Sequence, residues 1–206
     1  MTSNFDKVME SYWENSHRNQ SIVALTGTSL KDHLKFLRVS LPSVGRVLCI
    51  GVGTGGWVKE MALGTQLDVW TLDISTVVKV PFCVQDVSAP EALPTGWFDL
   101  ALSHWVSPHV NKAGMTRQIR EVIRSLKQDG VFAVHYNEPT PGRAVSDDQI
   151  HLGKAGEMTL TREAFLRIVA DAGGEATIIG ETSCPEYKMS MVVAHCRRLG
   201  ANSDHG

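Results

Sequence analysis

The stretch VLCIGVGTGGW, residues 47–57, constrains the fold of this chain more than any other. Four apolar residues run straight into glycines at positions 51, 53, 55 and 56. That order reads as a buried strand, a tight turn and the start of a helix. Gly51 and Gly53 permit the turn and a close approach of backbone to a ligand. Gly55 and Gly56 lead to a helix N-terminus, whose free N–H groups favour a negative ligand group. Such a loop can cradle a dinucleotide, a phosphate or the methionine half of S-adenosylmethionine. The stretch alone does not choose among them.

The rest of the chain alternates in the same manner. Residues 29–41 read as a helix capped by Ser29 and stopped by Pro42, with Leu30, Leu34, Phe36 and Leu37 inward. Strands are expected at 46–50, 67–75, 81–88, 98–104 and 130–136, and helices at 56–63, 113–127 and 161–172. Two further strands, near 175–182 and 188–196, close the domain. Apolar strands alternating with helices imply an α/β fold, a doubly wound and mostly parallel sheet. Only the short run TVVKV separates the second and third strands, so a crossover helix is short or missing there.

Composition narrows the function classes. At 206 residues, with 43% hydrophobic and 20% charged residues, the chain suits one soluble domain. A formal charge of −2 draws it to neither nucleic acid nor an anionic membrane. Arg117, Arg120, Arg124 and Lys127 recur at helical spacing and read as a solvated helix face rather than a polyanion site. Cys49, Cys83, Cys184 and Cys196 form no Cys-x-x-Cys pair and read as buried thiols in a reducing compartment. The first residues show no signal core and no run reaches a membrane span, which together imply a cytoplasmic protein.

Ligands of doubly wound sheets bind at the carboxyl ends of the strands. Asp73 ends the second strand, 22 residues after Gly51, where an acid can accept hydrogen bonds from both ribose hydroxyls. A helix cap or turn residue is the plainer alternative. Asp86 ends the third strand, where it can accept from an adenine amino group while the Val87 N–H reaches a ring nitrogen. The alternative there is a surface turn before Pro90. Up to this point a nicotinamide dehydrogenase and a methyltransferase fit equally.

The later segments resemble the class I S-adenosylmethionine-dependent methyltransferases. VLCIGVGTGGW is similar to their first motif, WTLDIS to the ribose acid and CVQDVS to the adenine site. WFDLALSHWVSPHV resembles the fourth-strand motif, and IREVIRSLKQDGVFAVH the helix, turn and fifth strand that follow. The resemblance implies a Rossmann-like seven-stranded sheet with a C-terminal antiparallel hairpin, and S-adenosyl-L-methionine as cofactor. It also implies a domain over 29–198, an N-terminal segment 1–28 that can fold over the cofactor as a lid through Tyr12 and Trp13, and a polar tail at 199–206. The cofactor contacts it implies are Gly51, Val52, Gly53, Gly55, Asp73, Ile74, Asp86, Val87, Ser103 and His104. One residue departs from the pattern: Cys49 stands where the family often has an acid that orders the methionine end.

Methyl transfer needs alignment of the acceptor and, for a hydroxyl or ammonium acceptor, a base. His104, His109, His135 and His151 stand where a base could act, and an ordinary histidine pKa near ~6.5 suits that work. His104 ranks first as the catalytic residue. His109 alternatively orders its loop, and His135 alternatively satisfies a sheet end. A zinc site is disfavoured, because the histidines lack helical i, i+4 spacing and a cysteine partner. Tyr136 and Asn137 are candidate acceptor contacts. Trp57 and Trp105 stack on a ligand or pack in the core. The loop 137–158 carries Arg143, His151 and Lys154, which suit an anionic acceptor, although a solvated loop explains them equally well.

The combined reading is an enzyme that methylates a small molecule of natural-product or sugar type, at oxygen, as a monomer or homodimer. No basic, aromatic nucleic-acid surface is visible. The alternatives are a non-catalytic cofactor-binding subunit of a larger complex and an NAD-dependent oxidoreductase; against the latter, there is no Tyr-x-x-x-Lys pair.

Overall fold

The computed structural model describes residues 29–53, 55–73, 85–87, 90–139, 159–184 and 189–200. Helix α1 (Leu30–Leu37) leads to strand β1 (Gly45–Ile50), helix α2 (Gly56–Gly64) and strand β2 (Leu67–Leu72). Strands β3 (Gln85–Val87) and β4 (Phe98–Ser103) follow, then α3 (Lys112–Ser125) and β5 (Leu126–Pro139). Helix α4 (Arg162–Asp171) and the strands β6 (Gly174–Cys184) and β7 (Met189–Arg198) complete the described chain.

The seven strands form one sheet in the order β3-β2-β1-β4-β5-β7-β6. Strands β1 to β5 run parallel, and β7 lies antiparallel between β5 and β6. The chain begins in the middle of the sheet, winds outward to β3, and returns past β1 to β4. Order therefore reverses between β1 and β4, where a doubly wound sheet opens its ligand crevice.

Side chains of each central strand alternate between two cores. Leu48, Ile50, Phe132, Val134 and Tyr136 pack with α3 and α4 on one face. Val47, Cys49, Leu100, Leu102 and Ala133 pack with α1 and α2 on the other. Burial on both faces explains why the strands read as apolar runs. Side-chain oxygens cap three helices: Ser29 accepts from Asp32 N, Asn111 from Gly114 N and Thr161 from Ala164 N. Each cap contributes about 1 kcal/mol.

The sheet and its closing hairpin match the sequence reading, and several boundaries move. Helix α1 ends at Leu37 rather than before Pro42, because Arg38 turns into the left-handed region at φ 52°. Its guanidinium donates to the Ile179 carbonyl at 2.8 Å, tying this turn to β6. Helix α3 stops at Ser125, so Lys127 lies on β5 and not on the helix. Strand β5 starts early because Leu126 already pairs with Phe98, ahead of an irregularity that brings Val131 opposite Leu100.

The four basic residues of this region each meet an acid. Arg117 pairs with Glu91 at 3.3 Å, Arg120 and Arg124 with Glu121 at 2.9 and 2.7 Å, and Lys127 with Asp99 at 2.6 Å. Asp99 also accepts from Arg46 N at 2.8 Å, clamping the starts of β1, β4 and β5 together. Cys49, Cys184 and Cys196 are buried. Among the described residues no helix is long and apolar enough to cross a membrane. Cys83, Ile74, Tyr12, Trp13, Arg143, His151 and Lys154 lie outside the described residues, as does the rest of the segment 1–28.

Candidate functional site

The glycine loop joins β1 to α2 at the switch point. Gly51, Gly53 and Gly55 all take positive φ, at 67°, 57° and 77°. At Gly51 the need for glycine is steric as well as conformational: a Cβ there would lie 2.0 Å from Val106 Cγ2. The missing side chain lets the segment after β4 pack onto the end of β1. Gly51 N donates to Leu72 O at 2.9 Å, and Val52 N donates to Asp73 Oδ2 at 2.8 Å. The end of β2 is therefore latched to the loop, and the Asp73 carboxylate stands beside it. Gly55 opens α2 without a side-chain cap. The partial positive charge of that N-terminus is available to a carboxylate or phosphate.

Asp86 and Val87 are placed by register on β3, opposite Thr71 and Leu72. They sit at the same end of the sheet as Asp73. The third side of the site comes from β4 and β5. Ser103 ends β4 fully buried, and His104 follows it at 8% exposure. On β5, His135 and Asn137 point to the α1 and α2 side, whereas Tyr136 points away. The two-residue period of a strand decides this. Tyr136 stacks on Phe165 at 4.0 Å, and its hydroxyl donates to Glu138 Oε1 at 2.5 Å. Arg162 holds Glu138 through Nε at 2.9 Å and Nη2 at 3.1 Å. Tyr136 is thus a core residue of the opposite face, which corrects its expected role as an acceptor contact.

A residue that sequence reasoning missed completes the cluster. His33, on α1, places its Nδ1 2.7 Å from Nδ1 of His104, so one ring donates and the other accepts. His33 stacks on Trp57 at 4.7 Å, and Phe36 stacks on His104 at 4.3 Å. The signal was present: His33 lies on the stripe formed by Leu30, Leu34 and Leu37, where a polar side chain must face inward. Trp57 is buried against this group rather than offered to a ligand. Trp105 is partly exposed, and packs edge-on against His135 at 4.9 Å. Its backbone is held at φ 61°, a conformation that costs a bulky residue on the order of 1 kcal/mol or more.

That strained backbone has a chemical consequence. Trp105 N donates to His135 Nδ1 at 3.3 Å. A neutral His135 accepting at Nδ1 carries its proton on Nε2, and there it is a donor. All three candidate bases are held neutral. Burial pushes His104 down to about 2, with His33 and His135 adding repulsion. Burial likewise lowers His109 and His135 to about 4 each.

Unpartnered buried polar atoms mark the same place. Among the described residues they are His33 Nε2, Ser103 Oγ, His104 Nε2, Ser107 Oγ, His135 Nε2 and both amide atoms of Asn137, with Trp97 Nε1 elsewhere. Buried polar groups rarely go without partners, so their gathering at the carboxyl ends of β4 and β5 marks a polar ligand site. The left-handed glycine loop, the uncapped α2 N-terminus, the strand-end acid and these orphaned atoms suit a nucleoside with a charged amino-acid tail. No group of metal-ligating side chains occurs among the described residues.

Comparison with known proteins agrees with this geometry. Residues 48–134 match the family model described as a methyltransferase domain. Over that span the chain is similar to methyltransferase domains. The search of curated proteins returned no significant match. Among solved structures, the methyltransferase fold is similar to Burkholderia thailandensis 1,6-didemethyltoxoflavin-N1-methyltransferase, bound to 1,6-didemethyltoxoflavin and S-adenosylhomocysteine. The two share 17% identity over 97% of this chain and 92% of the other, at a TM-score of 0.72. DhpI in complex with SAH matches at 16% identity over 98% and 100% of the two chains, with a TM-score of 0.65. The [4+2]-cyclase SpnF matches at 18% identity over 78% of each chain, with a TM-score of 0.61.

Proposed function

We propose that this chain is an S-adenosylmethionine-dependent methyltransferase that acts on a small, flat acceptor and methylates it at oxygen. The single observation that carries the reading is the cluster of rings and unpartnered buried polar atoms at the carboxyl ends of β4 and β5. Neutral histidines at 104 and 135 are set among the rings of Phe36 and Trp105, with Asn137 and two serines beside them. Ring faces bind a planar apolar body, and sparse buried polar atoms orient one edge of it. The toxoflavin N1-methyltransferase, whose bound acceptor is a small molecule, supports the size class.

In this reading Gly51, Val52, Gly53 and Gly55 approach the cofactor's amino-acid end, and the α2 N-terminus faces its carboxylate. Asp73 accepts from the ribose hydroxyls, next to Ile74, while Asp86 and the Val87 N–H read the adenine edge. When bound, S-adenosylmethionine supplies an electrophilic methyl group on a sulfonium centre. Ser103 and His104 line the methyl-bearing side. His104 Nε2 receives the acceptor's proton, His135 Nε2–H donates to a second acceptor atom, and His109 backs the wall. In this reading the protein works in the cytoplasm without nucleic acid or membrane.

Two substitutions probe these roles. Asp73→Ala should weaken S-adenosylhomocysteine binding more than tenfold by calorimetry, about 1.4 kcal/mol, because a charge-assisted hydrogen-bond pair is lost. An unchanged affinity removes Asp73 from the cofactor site. His104→Ala should lower turnover by about 100-fold while cofactor affinity stays within about twofold. The acceptor class is tested by offering labelled cofactor and panels of flat hydroxylated, ring-nitrogen and thiol compounds. Label transfer to hydroxyls supports oxygen, and transfer confined to ring nitrogens replaces it. Cofactor binding without transfer to any panel favours a non-catalytic subunit.

A further inference from the structure

The oxygen-acceptor reading leaves a physical difficulty. A histidine buried as deeply as His104, with two other histidines against it, is a poor place for a positive charge. Its neighbour His33 is a better one. Burial lowers the pKa of His33 as well, but Asp32, the preceding residue on α1, and Glu60 on α2 oppose that shift, whereas nothing opposes it at His104. Glu60 is fixed there by accepting from Leu30 N at 2.9 Å. The Trp57 ring lies stacked on His33, tilted by only 27°, and ring faces attract cations. The groups facing His104 are different: His33, His135, Phe36 and Trp105, with no acid among them. Between the two rings runs the 2.7 Å contact of Nδ1 to Nδ1.

We propose that His33 and His104 form a two-histidine proton relay that carries the acceptor's proton away from the reacting oxygen. The inference rests on the oxygen-acceptor reading above. In the resting pair, His104 carries its proton on Nδ1 and donates it to His33 Nδ1, while His33 carries its own on Nε2. The acceptor O–H bond breaks and its proton bonds to His104 Nε2. At the same time the Nδ1–H bond of His104 breaks and that proton bonds to His33 Nδ1. One proton has moved in and none has left, so His104 ends neutral and the single positive charge sits on His33. The charge is discharged once product leaves: the Nδ1 proton of His33 returns to Nδ1 of His104, the Nε2–H bond of His104 breaks to water entering the emptied site, and both rings regain their resting tautomers. His33 is then a positioning residue: it selects the His104 tautomer whose Nε2 lone pair can accept.

The first test reads the tautomers directly. Long-range proton–nitrogen spectra of histidine-labelled protein saturated with S-adenosylhomocysteine should show His104 protonated at Nδ1 and His33 at Nε2. A proton on His104 Nε2 overturns the relay, because that nitrogen then has no lone pair for the acceptor. The second test uses His33→Phe, which keeps a ring stacked on Trp57. Against weakly acidic hydroxyl acceptors its kcat should fall by about 100-fold, with KM and cofactor Kd within about twofold. The loss should shrink steadily as acceptors become more acidic and arrive already ionised. A loss that is equal for all acceptors marks a merely structural role and overturns the relay. Wrong tautomers in an enzyme that methylates hydroxyls sink the relay alone. Expected tautomers in an enzyme that methylates only nitrogen or sulfur sink the oxygen reading and the relay with it.

Discussion

Replacing Gly51 by alanine is expected to abolish cofactor binding and to lower folding stability by about 3 kcal/mol, the sum of left-handed strain and overpacking. The physical case has two independent parts. At φ 67° an L-residue crowds its own carbonyl, and the added Cβ would stand 2.0 Å from Val106 Cγ2. The valine methyl belongs to a packed segment, so the clash can relax only by moving the turn after β4 or the end of β1. Either movement shifts the loop N–H groups and the Val52–Asp73 latch together. Urea titration and calorimetry on the same preparation check the two effects. Wild-type affinity in a folded variant would mean that the loop does not touch the cofactor. By contrast, nothing lies within 4 Å of a Cβ built on Gly56, so Gly56→Ala is the matched control.

Acid should destabilise this protein well before its carboxylates titrate. His104 and His135 are neutral when folded, with pKa values pushed down to about 2 and about 4 by burial. In the unfolded chain each returns to about 6.5 and binds a proton below that pH. The unfolded state then holds more protons, so stability falls as pH drops from about 6.5 toward the folded values. At about pH 5 each histidine costs about 2 kcal/mol relative to about pH 7.5, or about 4 kcal/mol for the pair. His109, lowered to about 4, and His33, lowered chiefly by burial, act in the same direction. Urea midpoints measured at the two pH values decide it. Equal midpoints would mean that these rings are solvated and do not form the buried cluster.

The cyclase SpnF among the structural neighbours shows why the fold cannot name the reaction. What separates one member of this architecture from another is the chemistry at the carboxyl ends of β4 and β5. Here that chemistry is a set of neutral histidines. The tautomer of His135 is dictated by the Trp105 N–H, and that of His104 is shared with His33. Protonation sites, and not residue types alone, therefore decide which histidine can accept a proton and which can only donate.

Some of this was legible in the chain because it depends on local order. VLCIGVGTGGW encodes strand, turn and helix by apolar run and glycine spacing, and the loop adopts three left-handed residues where those glycines stand. Asp73 could be placed beside it because a parallel strand of similar length must end level with β1. The alternation of strands and helices implied the doubly wound sheet for the same reason: parallel neighbours need covered crossovers.

Other features had no local signature. Tyr136 and His135 are adjacent in sequence, and only the pleat of β5 against α4 sends one to a stacked core and the other to the site. Helix α1 ends at Arg38 because its guanidinium finds the Ile179 carbonyl, 141 residues away in the chain. His33 and His104 are 71 residues apart, and their contact exists only because α1 packs across the ends of β4 and β5. The sequence by itself determined the layered sheet, its glycine loop and the acid beside it, since apolar period, glycine and strand length act over a few residues. Tertiary structure alone decided which histidines meet and that they are held neutral, since burial and hydrogen bonding between distant elements set those.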